Sequence, residues 1–290
     1  MSQYVLLKHL RVQNANAIAS PFTFGFPAVT AFMGLAHALQ RHLNPTADPD
    51  ELLIRGVGIA SHAFTMQDHQ DNYSRTLRLT ANPLDKDGNR PSFVEEGRCH
   101  LTVSLVLEVD NLPNGRPLER LLAQFEPLLL ARCKLAGGDI LDVGAVQTLK
   151  DDKASLRCVM PSYVLMERRE LMQEAMANGQ NALDALHGFL QIRHTSERIK
   201  EDDEDKATWH SQRVRSGWLV PIATGFHALT DAGVAEQQRD SDTPHRFAES
   251  LVTLGEFIMP YRLDNLAALV WRYRHDGDFY TCTQQSRAAS

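Results

Sequence analysis

Polar and apolar positions alternate most cleanly over Arg98 to Asp110 (RCHLTVSLVLEVD), the period-two pattern of a strand with one buried face. Val5 to Val12 (VLLKHLRV) and Ile54 to Phe64 (IRGVGIASHAF) carry the leucine and β-branched content of two further strands. Thr76 to Leu79 (TLRL) alternates like one arm of a hairpin, and Ile140 to Leu149 supplies another strand. Between the first two strands Val29, Phe32, Ala36, Leu39 and Leu43 recur every three or four residues, which predicts an amphipathic helix. Pro27 suits its first turn, where a missing N–H costs nothing. Arg116 to Leu135 predicts a second helix, with Leu118, Leu121, Leu122, Leu128 and Leu129 on it. Pro127 should kink or divide that helix, and Gly137-Gly138 should stop it.

The order strand, helix, strand, strand, helix, strand over residues 1–150 is a ferredoxin-like arrangement within an α+β fold, and the same scaffold serves RNA recognition motifs. Such a scaffold hosts many functions, so the order alone assigns none. About thirty residues, from about 66 to 98, separate the second and third strands where a short turn would suffice. They carry the turn signals Asn82-Pro83 and Asp87-Gly88, after an earlier Asn44-Pro45, and form either a functional arm or a mobile loop.

Residues 151–290 are less regular and are expected to pack on the first half. Cys158 to Met166 reads as a strand and Arg169 to Arg193 as a helix broken near Gly179. Gly217 to Leu229 reads as a buried strand, Phe247 to Phe257 as a helix, and Leu266 to Tyr273 as a closing helix or strand. Glu197 to Lys206 (ERIKEDDEDK) reads as a solvated loop.

Composition narrows the class. The 290 residues are 43% apolar and 23% charged, as in an ordinary globular protein. No apolar run is long enough to span a bilayer, and Met1 to Tyr4 opens without the features of a signal peptide. Four scattered cysteines point to reduced thiols and a cytoplasmic location. The net charge is −6, where free-standing nucleic-acid binders are usually basic; without the acidic run 27 bases face 30 acids. Any nucleic-acid contact must come from a local patch or a surface shared with partners.

Candidate chemistry is sparse. Cys99-His100 would point to opposite faces of a strand, and the other histidines show no metal-ligand spacing, so neither metal nor cofactor is expected. Gly56-Val57-Gly58 begins like a dinucleotide loop but lacks the third glycine and the turn into a helix. Phe22, Phe24 and Phe26 flank Gly25; they either stack on splayed bases or anchor the helix to the sheet. Asn14 and Asn16 carry amides able to read base edges. Arg75, Arg78, Lys86, Arg90 and Arg98 supply cations for phosphates, although six acids share their stretch.

Several fragments, in order, resemble the second Csy subunit of type I-F CRISPR systems, a member of the Cas-five class. They are Gln13 to Ala17 with Thr23 to Pro27, His37 to Arg41, Asn82 to Leu84 with Asp87-Gly88, and Val94 to Arg98 with His100-Leu101. Gly217 to Ile222, Arg246-Phe247 and Gly255-Glu256 complete the set. The resemblance implies a modified RNA-recognition-type fold whose insertion is a thumb-like hairpin. It implies a non-catalytic subunit that grips the 5′ handle of guide RNA and pairs with the large Csy subunit. The thumb would lie beside the adjacent repeated backbone subunit, and target DNA would be engaged through the whole complex. Carried over by position, Asn14, Asn16 and Phe24 would sit near the handle. Arg75, Arg78, Lys86, Arg90 and Arg98 would lie along the thumb or its base. The competing expectations are a metal-independent endoribonuclease of the same fold class, or a scaffold for the large subunit.

Overall fold

The computed structural model describes residues 3–44, 51–201, 204–236, 238, 240 and 242–284; Pro45 and the Asp202-Asp203 pair therefore lie outside it. Strand β1 (Gln3–Asn16) begins the chain, followed by a small hairpin of β2 (Ile18–Ser20) and β3 (Thr23–Phe24). Helix α1 (Val29–Leu43) buries Val29, Phe32, Met33, Leu35, Ala36 and Leu39. Its N-cap is Ala28, so Pro27 fixes the approach to the helix instead of sitting in its first turn. After β4 (Leu53–Met66) come three short strands, β5 (Asp68–Gln70), β6 (Arg75–Thr80) and β7 (Val94–Glu96), which form their own small sheet. The long β8 (Arg98–Asp110) then leads to α2 (Arg116–Arg132) and the strands β9 (Lys134–Leu135), β10 (Gly138–Asp142) and β11 (Ala145–Leu149).

Helix α2 runs unbroken through Pro127, against expectation. Ala123, whose carbonyl loses its helical partner, and Pro127 both face solvent, where water meets the orphaned acceptor.

The second half starts with a 3₁₀ turn over Ser155–Val159, and its first strand, β12 (Tyr163–Glu167), is shorter than expected. Helices α3 (Arg169–Ala177) and α4 (Ala182–Leu190) flank Gly179, whose φ of 91° breaks the run. The charged run expected as a loop belongs to a hairpin of β13 (Ile192–Glu201) and β14 (Glu204–Arg213), paired from Ile192↔Arg213 to Glu201↔Glu204. The ladder runs from its foot, where Ile192 faces Arg213 and Arg193 faces Gln212, into the charged segment. Strand β15 (Trp218–Ala228) follows. Ala248–Ile258, expected as a helix, is strand β16, paired with β15 along its length and with β12 at one end. Gly255 there lies beneath Ile222, and a helix would bring that glycine a cost of about 1 kcal/mol with no contact in return. After a 3₁₀ turn at Ala267–Leu269 the last described elements are β17 (Val270–Asp276) and β18 (Phe279–Thr283).

These elements make a mixed α+β fold around an eleven-stranded antiparallel sheet, ordered β12-β16-β15-β18-β17-β4-β8-β1-β10-β9 with β11 also on β1. Strands from both sides of residue 150 share it. One face is covered by α1 and α2, with Val5, Leu7, Val103, Leu105 and Leu107 beneath Phe32, Leu39, Phe125 and Leu129. The other face buries Leu6, Ala60 and Val106 under Leu156, Val159, Leu266 and Leu269. The outer edge of β4 is divided: β17 pairs with Gly56–Gly58, and β12 with Ala60 and Ser61. Strands β4, β17, β18, β15, β16 and β12 therefore close on themselves. Trp271, fully buried, spans that fork and donates its indole N–H to the Leu165 carbonyl at 3.1 Å.

Candidate nucleic-acid interface

Strand β1 reaches the site through two bulges. Its register against β8 shifts between Leu7 and Leu10 and again between Val12 and Ala15, with His9 at φ 51° and Asn14 at φ 57°. Asparagine tolerates the left-handed conformation that the second bulge demands. There the Asn14 N–H donates to His100 Nδ1 at 3.2 Å, and the Gln67 amide bridges Asn14 Oδ1 (2.6 Å) and His100 Nε2 (2.9 Å). Neither Gln67 nor His100 was among the sequence candidates. Cys99, the neighbour of His100, points into the core, so the two form no metal site.

Arg98 lies next to this cluster, opposite Asn16 in the β1–β8 register. Its guanidinium donates to the Asn14 carbonyl at 3.5 Å and to Glu96 Oε2 at 2.7 and 3.2 Å. Arg98 holds the Glu96 carboxyl below the usual carboxylate range. The Asn16 amide is partly engaged by its own loop: it donates to the Ile18 carbonyl at 2.9 Å and accepts the Ile18 N–H at 3.1 Å.

The third wall is the turn between β9 and β10. Leu135 pairs with Gly138, leaving Ala136 and Gly137 as a two-residue turn with φ of 49° and 74°. The Ala136 carbonyl accepts the Asn16 N–H at 2.8 Å. A Cβ at Gly138 would lie 2.7 Å from the Ala15 nitrogen, so only glycine lets turn and strand meet. Asn16, Ile18, Glu96, Arg98, Ala136 and Gly137 thereby line an open groove of about 470 Å³. Sequence reading took Gly137-Gly138 as a helix stop only; paired glycines ahead of a strand also signal a tight hairpin.

The phenylalanines divide by role. Phe26 is the anchor, stacked on Phe32 at 5.5 Å and edge-on to Phe257 at 5.2 Å. Phe22 and Phe24 point outward, 80% and 72% exposed.

The cations are spread along the insertion. Arg75 is paired to Asp68 (3.0 Å) and bonded to Gln70 (3.1 Å), while Arg78 lies opposite Glu96 in the β6–β7 register. Lys86 and Arg90 flank a turn held by Asp85 Oδ1, which accepts the N–H groups of Asp87 (2.9 Å) and Asn89 (2.8 Å). Those donors keep the Asp85 carboxyl below its usual range. Both cations are exposed and make no ion pair among the described residues. The insertion thus places Arg98 at its base and Lys86 and Arg90 far along it, and does not gather the five cations into one patch.

A second constellation sits on the sheet behind. His62 occupies a bulge of β4, and His9 a bulge of β1, on either side of Ser104 in β8. Ser104 Oγ accepts the His9 N–H at 3.0 Å and lies 2.7 Å from His62 Nε2; His62 Nδ1 lies 2.7 Å from the Pro161 carbonyl. A carbonyl only accepts, so Nδ1 carries the proton and the serine hydroxyl donates to Nε2. This resembles an activated serine, but Ser104 is fully buried. Its hydrogen bonds join two bulges. Among the described residues no three His, Cys, Asp or Glu side chains are placed to hold a metal ion, and no helix is long and apolar enough to cross a membrane.

Comparison with known proteins gives the chain its relatives. The profile of a family described as CRISPR-associated protein (Cas_Csy2) matches residues 5–282. The CRISPR-associated protein Csy2 of Pseudomonas aeruginosa (strain UCBPP-PA14) is 36% identical over 307 aligned residues, covering 94% of this chain and 92% of that protein.

Proposed function

The chain belongs to the Csy2 family of type I-F CRISPR systems, and from that membership we propose that it is a non-catalytic RNA-binding subunit gripping the 5′ handle of the guide RNA. In this reading it pairs with the large Csy subunit, its arm over residues 67–97 lies beside the adjacent backbone subunit, and target DNA is reached through the assembled complex. The fold is read as a modified ferredoxin-like domain, a reading supported by the strand order β11-β1-β8-β4 with two helices on one face.

The observation that carries the proposal is the meeting of Asn14, Asn16 and Arg98 with the Ala136-Gly137 turn at the foot of the arm. Such a groove offers amides, backbone and a guanidinium at one end, outward aromatic rings at Phe22 and Phe24, and along the arm Lys86 and Arg90, which make no ion pair among the described residues. Those are the elements that hold a splayed single strand: charge for phosphates, rings for stacking, amides for base edges. The overall charge of −6 is compatible with this role when more basic partners share the RNA surface.

The test is purification of the tagged chain from cells carrying the whole operon, followed by sequencing of bound RNA. Uniform guide RNAs with intact 5′ handles, recovered with the large subunit, are expected. Recovery of the chain without RNA, or a metal-independent cut in repeat RNA made by the chain alone, would overturn the proposal.

A further inference from the structure

We propose that the groove between α3, α4 and the foot of the β13–β14 hairpin docks an acidic, amphipathic segment of a protein partner. The groove arises because two nine-residue helices bury only one side. Leu171 and Met172 from α3 and Ala185 from α4 join Leu219 and Leu254 in a small core of their own. Next to that core, and sharing Leu171 with it, lies an opening of about 490 Å³ with Ala175, Phe189 and Val214 also in its lining and Arg193 and Arg215 beside them. Val214 is 54% exposed, although it is apolar and borders this opening.

Charge decides the kind of occupant. The chain carries 36 acids against 30 bases, and nearby arginines are already engaged: Arg168 with Glu256 and Arg169 with Glu167, each at 2.7 Å. Arg193 and Arg215 make no hydrogen bond or ion pair among the described residues, even with Glu174, which lines the same opening. Two uncompensated guanidiniums over an apolar floor call for carboxylates flanking an apolar side chain. A nucleic-acid strand would satisfy the arginines but set its phosphates against Phe189 and Val214, where it offers no apolar side chain to fill the floor. A peptide whose leucine or phenylalanine enters the floor while its glutamates reach Arg193 and Arg215 satisfies both, with Glu174 left facing solvent.

The inference is independent of the RNA reading, and its test uses the full chain. The probe is a capped, fluorescein-labelled peptide of about twelve residues with leucine and phenylalanine at helical spacing and glutamates between them. Anisotropy should show saturable binding, weakened about tenfold or more by Arg193→Glu with Arg215→Glu. A probe with lysines replacing the glutamates should recover affinity for that variant. Val214→Ser should weaken binding of the original probe about threefold. Both arginine side chains are exposed and make no hydrogen bond or ion pair among the described residues, so the reversed chain keeps its fold, which a thermal melt checks. No saturable binding, binding indifferent to charge reversal, or displacement of the probe by a mixed-sequence single-stranded RNA would overturn the inference. So would light scattering showing that the probe merely dissociates a dimer of the chain.

Discussion

Arg272 and Glu108 stand two strands apart and meet across β4 as a bidentate ion pair, Nε to Oε2 at 2.7 Å and Nη2 to Oε1 at 2.9 Å. They meet over Gly56, which faces Arg272 on one side and Glu108 on the other. A Cβ at Gly56 would lie 2.5 Å from the Trp271 carbonyl and 3.0 Å from Arg272 Cγ. The missing side chain is what lets a C-terminal strand reach the central one.

Arg272→Met leaves the Glu108 carboxylate buried without its partner, and should cost about 3 kcal/mol. Adding Glu108→Leu should restore most of that loss. The urea midpoints of the two variants measure both; an equal loss in the double variant would show that packing, not charge, holds the strands.

Gly56→Ala should destabilise by about 2 kcal/mol or more, because backbone obstructs the new methyl group. Gly58→Ala should cost less. There the nearest obstacle is a terminal methyl of Leu269, which can rotate away. Thermal unfolding of the two alanine variants gives the order directly.

Lys86 and Arg90 have no ion-pair partner among the described residues, whereas Arg75 is held by Asp68 and Arg98 by Glu96. If the arm tracks RNA phosphates, Lys86→Ala and Arg90→Ala should each lower the salt slope of handle binding by about 0.7. Arg75→Ala should change it less. Titrations of a handle oligonucleotide at several salt concentrations, with the chain in its complex, test this ranking.

His62 is held neutral: burial lowers its pKa from the ordinary 6.5, with His9 and Lys8 adding to the effect. The unfolded chain therefore binds this proton more readily than the folded one. Its contribution to stability is complete above pH 6.5, falls as the pH drops below 6.5, and levels off below the lowered folded value. Urea midpoints between pH 7.5 and pH 5 should fall less steeply for His62→Gln than for the parent chain.

Ala136 holds a left-handed conformation that costs an L-residue about 1 kcal/mol. Ala136→Asn should raise stability by about 0.5–1 kcal/mol, since asparagine-glycine is a favoured pair for this turn. A thermal melt checks the sign, and unchanged handle binding would show that the groove tolerates the added amide.

The long strands and α1 were legible because one periodicity runs through each, as in Val29 to Leu39 or Cys99 to Val109. The length of the insertion was legible too, since thirty residues fit no ordinary hairpin turn. What was hidden depends on partners far along the chain. Ala248–Ile258 becomes a strand because β15 pairs with nearly all of it and β12 with its last four residues, which no local pattern reveals. Gly56-Val57-Gly58 looked like a fragment of a dinucleotide loop; its glycines answer the close approach of β17 and Leu269. In the candidate groove, Asn14, Asn16 and Arg98 were found by residue type. Gln67 and His100 are not legible there because their roles arise from the bulge at Asn14 that shifts the register of β1.

The position of β17 and β18 between β4 and β15 also sets a timetable for synthesis. Once β4 has left the ribosome, more than two hundred residues follow before Thr283 emerges, roughly 10–40 s at bacterial elongation rates. Through that interval much of the outer edge of β4 lacks its final partner, and once β15 has emerged one of its edges waits as well. Open strand edges are templates for mispairing with other chains. The nascent protein therefore has most open strand edge just before β17 and β18 emerge, and whatever shields those edges during translation governs how much of it matures.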